Sequence, residues 1–165
     1  MIEISIHGRG GQGAVRSAQI LAEAAFIQGY AVQSFPFFGV ERRGAPVQAF
    51  VRLDKQKILT RAQVKKADYA IVLDSTLLRN GINAKKVFVN TSRQGKENFD
   101  ATSLALKIFP QAVNTAMVSF FALSTGLVTK ESLINSVNKL FSTEAREKNI
   151  MIIEETFKSA KKYRK

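Results

Sequence analysis

The chain has 165 residues, 45% hydrophobic and 23% charged, the composition of one soluble globular unit able to bury its own core. It has no Cys and one His, which excludes disulfides, thiolate-held metals, iron–sulfur clusters and thiol nucleophiles within the chain and counts against a zinc site. A formal charge of +12 favours an acidic partner, a polyphosphate or nucleic acid; with no bilayer-length apolar stretch and no signal pattern, a cytoplasmic location with no membrane partner is expected.

Residues 2–6 form a short apolar strand that runs into His7-Gly8-Arg9-Gly10-Gly11-Gln12-Gly13. Gly8, Gly10 and Gly13 have the G-x-G-x-x-G spacing of a phosphate-binding turn, and Ala14, Ala18, Leu21, Ala22 and Ala25 then recur on one helix face. In that context missing Cβ atoms let backbone N–H groups approach an anion, and the helix start adds partial positive charge. The competing reading is that the glycines only allow tight strand–helix packing. Gln28-Gly29 ends the helix, and residues 30–34 read as a second strand. That strand ends Gln33-Ser34-Phe35-Pro36 without the carboxylate that holds a ribose, which counts against NAD. Arg42 and Arg43 suit a 2′-phosphate but lie beyond its usual place, and Ala14-Val15 after Gly13 excludes a P-loop.

Residues 35–46 hold two prolines, two glycines and three phenylalanines and read as an irregular, functional connection too aromatic for disorder. Within Glu41-Arg42-Arg43-Gly44-Ala45-Pro46, two guanidinium forks face one carboxylate. Either one ion pair and one solvated Arg result, or a site awaits a partner; the neighbouring Phe35, Phe37 and Phe38 favour an interface. Residues 47–53 read as a third strand, and 69–74 and 87–90 as strands of the buried parallel kind. Residues 63–67 and 75–80 read as short helical connectors, and residues 91–103 carry no assignable pattern.

Residues 114–127 are apolar nearly all round, a buried helix ended by Gly126. Thr129 caps a following helix with Glu131 in its first turn, and Thr143 with Glu144 and Glu147 opens a last one bearing Ile150, Ile153, Phe157 and Ala160 on its apolar face. The order of elements indicates a single α/β domain over residues 1–165: a Rossmann-like three-layer sandwich, a largely parallel sheet, and a helical C-terminal part.

No Gly-x-Ser-x-Gly elbow, carboxylate pair or His–acid spacing is present, so no catalytic residue is assigned, and no metal ligand. His7 reads as a structural bridge between strand end and loop. Asp74 suits either a ligand at the sheet's carboxyl edge or a helix cap. A free-standing NADP-binding reductase and a basic nucleic-acid-binding module stand as alternatives to an enzyme subunit. Charge alone favours the latter, for the cations are spread out apart from Lys161-Lys162-Tyr163-Arg164-Lys165, so nucleic acid is not the expected partner.

The glycine motif, together with Ser34-Phe35-Pro36-Phe37-Phe38-Gly39-Val40-Glu41-Arg42-Arg43-Gly44-Ala45-Pro46-Val47, resembles the gamma subunit of 2-oxoacid:ferredoxin oxidoreductases, in the form most like the pyruvate type. Asn114, Thr125-Gly126-Leu127-Val128 and Glu131-Ser132-Leu133 resemble that family's helical segment. The resemblance implies a subunit of an assembly that oxidatively decarboxylates a 2-oxoacid, passes the acyl group to coenzyme A and sends electrons to ferredoxin. Thiamine diphosphate and iron–sulfur clusters are then expected on partner subunits. This subunit is expected to build an interface and help receive coenzyme A. Gly8, Arg9, Gly10, Gly11, Gln12, Gly13, Arg42 and Arg43 are its cofactor-binding residues under that reading, with coenzyme A open to either the turn or the arginine loop.

Overall fold

Ile4 and Ile6 point to one side of the first strand and Ser5 and His7 to the other, and that alternation sets the two faces of a sheet. A computed structural model describes residues 1–37 and 45–161. Its elements are β1 (Ile2–Arg9), α1 (Ala14–Ile27), β2 (Ala31–Phe37), β3 (Pro46–Asp54), β4 (Ala67–Val72), β5 (Ala84–Asn90), β6 (Asn98–Phe99), α2 (Ala101–Ile108), α3 (Val113–Thr125), α4 (Lys130–Leu140) and α5 (Thr143–Ser159), with 3₁₀ turns at Ser75–Asn80 and Pro110–Ala112. The strand order is β2-β3-β1-β4-β5-β6. β3 runs antiparallel to β2 and β1, whereas β1, β4, β5 and β6 run parallel. The α/β class and the mainly parallel sheet expected from the sequence are both present.

The main core lies on the Ile4 and Ile6 face. The expected α1 face, Ala14, Ala18, Leu21, Ala22 and Ala25, is buried, and its small side chains let the helix close down on the sheet. Farther along, Phe88 of β5 meets Phe120 and Phe121 of α3 edge-on, with ring centroids 5.9 and 5.2 Å apart. Such pairs add about 0.5–1.5 kcal/mol beyond the area they bury. Gln28 at the end of α1 ties in α4: its Oε1 accepts from Thr129 N at 2.6 Å and Ser132 Oγ at 2.7 Å. Gly126 ends α3 in the left-handed conformation and Thr129 caps α4 by accepting from Ser132 N, as the sequence indicates. Ser142, one residue before Thr143, stands at the cap of α5 and makes no side-chain cap bond.

The structure departs from expectation in three places. β2 continues through Phe35-Pro36-Phe37, where the sequence suggests irregular chain; Pro36 is tolerated because β2 is an edge strand, and Phe35 packs against Phe50 with centroids 5.6 Å apart. Residues 63–67 are not helical. Instead residues 55–66 cross the face as an irregular strap, and β4 begins at Ala67. Side chains on the sheet satisfy the strap's carbonyls, Gln33 bonding those of Ile58 and Thr60 and Arg52 that of Ala62, so the backbone needs no helix. Finally, the unpatterned stretch 91–103 contains β6 and the start of α2, whose cap is Asp100 accepting from Ser103 N at 2.9 Å.

Candidate functional site at the glycine turn

The turn leaves the carboxyl end of β1 and enters α1. Gly10 N donates to Ala45 O at 3.0 Å and Gln12 N to Arg9 O at 2.9 Å, which fixes the turn against the start of β3. Gly13 has φ 83°, and a Cβ there would stand 2.8 Å from Asn114 Nδ2; at Gly8 a Cβ would meet Leu73 Cδ1 at 3.2 Å. These two motif glycines therefore serve close packing. Gly11 differs: its φ is 91° but a Cβ would meet nothing within 4 Å, so it faces open space.

Arg9 and Gln12 turn inward onto Asp74, just beyond β4. Arg9 Nε donates to Asp74 Oδ2 at 3.0 Å and its NH2 to Thr76 Oγ1 at 2.7 Å. Gln12 Nε2 donates to Asp74 Oδ2 at 3.3 Å while its Oε1 accepts from Arg9 N at 2.7 Å. Asp74 also accepts from Thr76 N at 3.0 Å, so of the two sequence readings it fulfils the cap. Burial works to raise the Asp74 carboxyl, but hydrogen bonds from Thr76, Gln12 and Arg9 together hold it below the usual carboxylate range. Asp74 is thus a fixed anion that positions Arg9, not a proton donor at neutral pH.

His7 Nε2 bonds Ser5 Oγ at 2.9 Å on its own strand, which replaces the expected bridge to the loop, and burial pushes the imidazole down from 6.5 toward the neutral form. Arg42 and Arg43, with Phe38–Gly44 as a whole, lie outside the described residues.

Two hollows flank Gly11. One, of about 380 Å³, lies at the start of α1 beside Arg9, Gly13, Ala14 and Arg16. The other, of about 480 Å³, lies over the carboxyl ends of β4 and β5 beside Gln12, Asp74, Asn90 and Thr102, the place where open α/β sheets take ligands. The α1 start has no side-chain cap and no acidic residue in its first turn; it carries Arg16 instead. A cation in the first turn opposes the helix field, and the free N–H groups and Arg16 together suit an anion. Arg16, with its guanidinium 5.2 Å from the Phe141 ring centroid, received no role from sequence, although a cation at a helix start is a legible irregularity. Asn114, which the sequence marks only through the family resemblance, is the residue that packs on Gly13. The site supplies donors and positive charge and, among the described residues, brings no nucleophile or general base into its hollows. Among the described residues no group of three or more His, Cys, Asp or Glu could hold a metal.

A profile of the pyruvate ferredoxin/flavodoxin oxidoreductase family matches residues 3–159. The chain is 47% identical to the pyruvate synthase subunit PorC of Methanocaldococcus jannaschii, with 99% of each chain covered. It is 43% identical to the pyruvate/ketoisovalerate oxidoreductases common subunit gamma of Pyrococcus abyssi, over 95% of this chain and 96% of the other. Among solved structures, the pyruvate oxidoreductase subunit PORC of Thermotoga maritima superposes with a TM-score of 0.80 at 31% identity, covering 95% of both chains. A match over nearly the whole chain and on the same fold places the sequence: the chain belongs to the pyruvate ferredoxin/flavodoxin oxidoreductase family, as one of its gamma-type chains.

Proposed function

We propose that the chain is the gamma subunit of a multisubunit 2-oxoacid:ferredoxin oxidoreductase of the pyruvate type, supporting oxidative decarboxylation of a 2-oxoacid to acyl-CoA with electrons passed to ferredoxin. The observation that carries this reading is the 47% identity, over 99% of both chains, to a pyruvate synthase subunit. The chain's own chemistry agrees with a supporting role, because it has no Cys to ligate an iron–sulfur cluster and its turn holds no acid, base or nucleophile poised to react. Thiamine diphosphate and the clusters belong, on this reading, to partner subunits. Neither a free-standing NADP-binding reductase nor a nucleic-acid-binding module finds support.

Within the assembly, Gly8–Gly13 and the Arg42-Arg43 pair receive the phosphates of coenzyme A. Gly11 facing open space, the uncapped start of α1 and Arg16 in its first turn support that role. The sequence places Arg42 and Arg43 shortly before Ala45, whose carbonyl takes the Gly10 N–H. Arg9 and Gln12 act by holding the turn through Asp74. Replacing both arginines, Arg42→Ala and Arg43→Ala, in the co-purified assembly removes charge-assisted contacts and raises KM for coenzyme A roughly tenfold, with kcat and the 2-oxoacid KM nearly unchanged. Wild-type coenzyme A kinetics in that variant would remove the arginine loop from the site.

A further inference from the structure

Residues 55–66 carry five cations, Lys55, Lys57, Arg61, Lys65 and Lys66, and no Asp or Glu. Exposure alternates over residues 57–61, where Ile58 and Thr60 are half-buried while Lys57, Leu59 and Arg61 are exposed; beyond them Val64 is buried and Ala62, Gln63, Lys65 and Lys66 are exposed. The outward row therefore reads cation, leucine, cation, with another cation at position 65, and alternate side chains of an extended segment stand about 7 Å apart. Leu59 is 79% exposed, an uncovered apolar side chain between Lys57 and Arg61.

The neighbouring acids are already committed. Glu3 pairs with Arg52 at 2.9 Å, Asp54 with the chain's amino group at 3.0 Å, and Asp68 with Lys85 at 2.7 Å. Lys57, Arg61, Lys65 and Lys66 have no ion-pair partner among the described residues. An ordinary solvated face intersperses both signs; this one is single-signed. It is also held in place. Gln33 Nε2 donates to the carbonyls of Ile58 at 3.4 Å and Thr60 at 3.2 Å, the Arg52 guanidinium to that of Ala62, and Asn83 Nδ2 to that of Lys65 at 2.8 Å. Val64 is buried against Phe50. A strap fixed in this way loses little further freedom when a partner covers it.

The strap starts after Asp54, which pairs across the sheet with Ala31, whereas the glycine turn adjoins Pro46 at the other end of β3. The two features thus sit at opposite ends of the sheet. We infer that the 55–66 strap docks an acidic surface of a partner subunit, one whose carboxylates flank an apolar depression that receives Leu59. This inference rests on the reading of the chain as an assembly subunit. The charges steer encounter and set the register, and Leu59 supplies the desolvated centre of the contact.

The test is the affinity of the full-length chain for its co-expressed partner subunits, measured at low and high salt. Lys57→Glu with Arg61→Glu is expected to weaken binding about tenfold or more at low salt and to flatten the salt dependence. Leu59→Ser is expected to weaken it several-fold at both salts. Lys107→Glu with Lys130→Glu, equal in charge change but elsewhere, keeps wild-type affinity, and unchanged melting temperatures verify folding. Wild-type affinity in the strap variants, or equal loss in the Lys107 and Lys130 control, overturns the inference. So does loss of oligonucleotide binding by the strap variants with partner binding intact, which would make the strap a nucleic-acid site. If the wild-type chain itself fails to bind the partners, the subunit reading fails first.

Discussion

Gly13 and Gly11 are glycines for different reasons, and the difference predicts different failures. Gly13→Ala must place a methyl group against the Asn114 amide at a left-handed φ, and it is expected to cost about 1–3 kcal/mol in denaturant unfolding. Gly11→Ala meets no neighbour, costs only about 1 kcal/mol for its φ, and puts its methyl into the open space that the proposed ligand needs. Its expected effect is a raised KM for coenzyme A in a stable assembly. Equal destabilisation by the two would contradict the distinction. The Asp74 cluster gives a pH prediction. Because the folded carboxyl is held below its ordinary 3.8, its contribution is fully present above about pH 4 and is lost as pH falls through the folded value. The stability gap between wild type and Asp74→Asn therefore narrows in acid; a gap that widens would contradict the cluster. At this scale the glycine spacing was legible, but the commitment of Arg9 and Gln12 to Asp74 was not. Those residues are joined by the β1–β4 pairing, which no local pattern encodes.

Among the elements, those with strong periodicity were legible: the alanine face of α1, the all-round apolar α3 and the capped α4. Where tertiary contacts decide, the sequence misled. The strap carries good helix formers near Lys65 and Lys66, yet side chains from β2 and β3 take its carbonyls, and β6 with only two residues is too short to register a period. Arg52 is the pivot of that arrangement. It is 2% exposed, bonded to Glu3, Gln33 and Ala62, and lies 5.3 Å from the Phe35 ring centroid. Arg52→Ala strands Glu3 and frees the strap, an expected loss on the order of 3 kcal/mol. Limited trypsin digestion reads it directly, with cleavage at Lys57, Arg61 and Lys65 accelerating in the variant. Unchanged cleavage would mean that Val64 and Gln33 hold the strap alone.

Taken whole, the molecule packs its α-helices into the main core, gathers donors and positive charge at the glycine turn, and sets a basic strap at the other end of β3. Among the described residues no helix is long and apolar enough to cross a membrane. The direct test of a supporting subunit is pyruvate-dependent ferredoxin reduction and acyl-CoA yield, compared between partner subunits expressed with and without this chain. Coenzyme A-dependent turnover only when the chain is present, co-purifying with its partners, is the predicted result. Full turnover and coenzyme A affinity in its absence would contradict it.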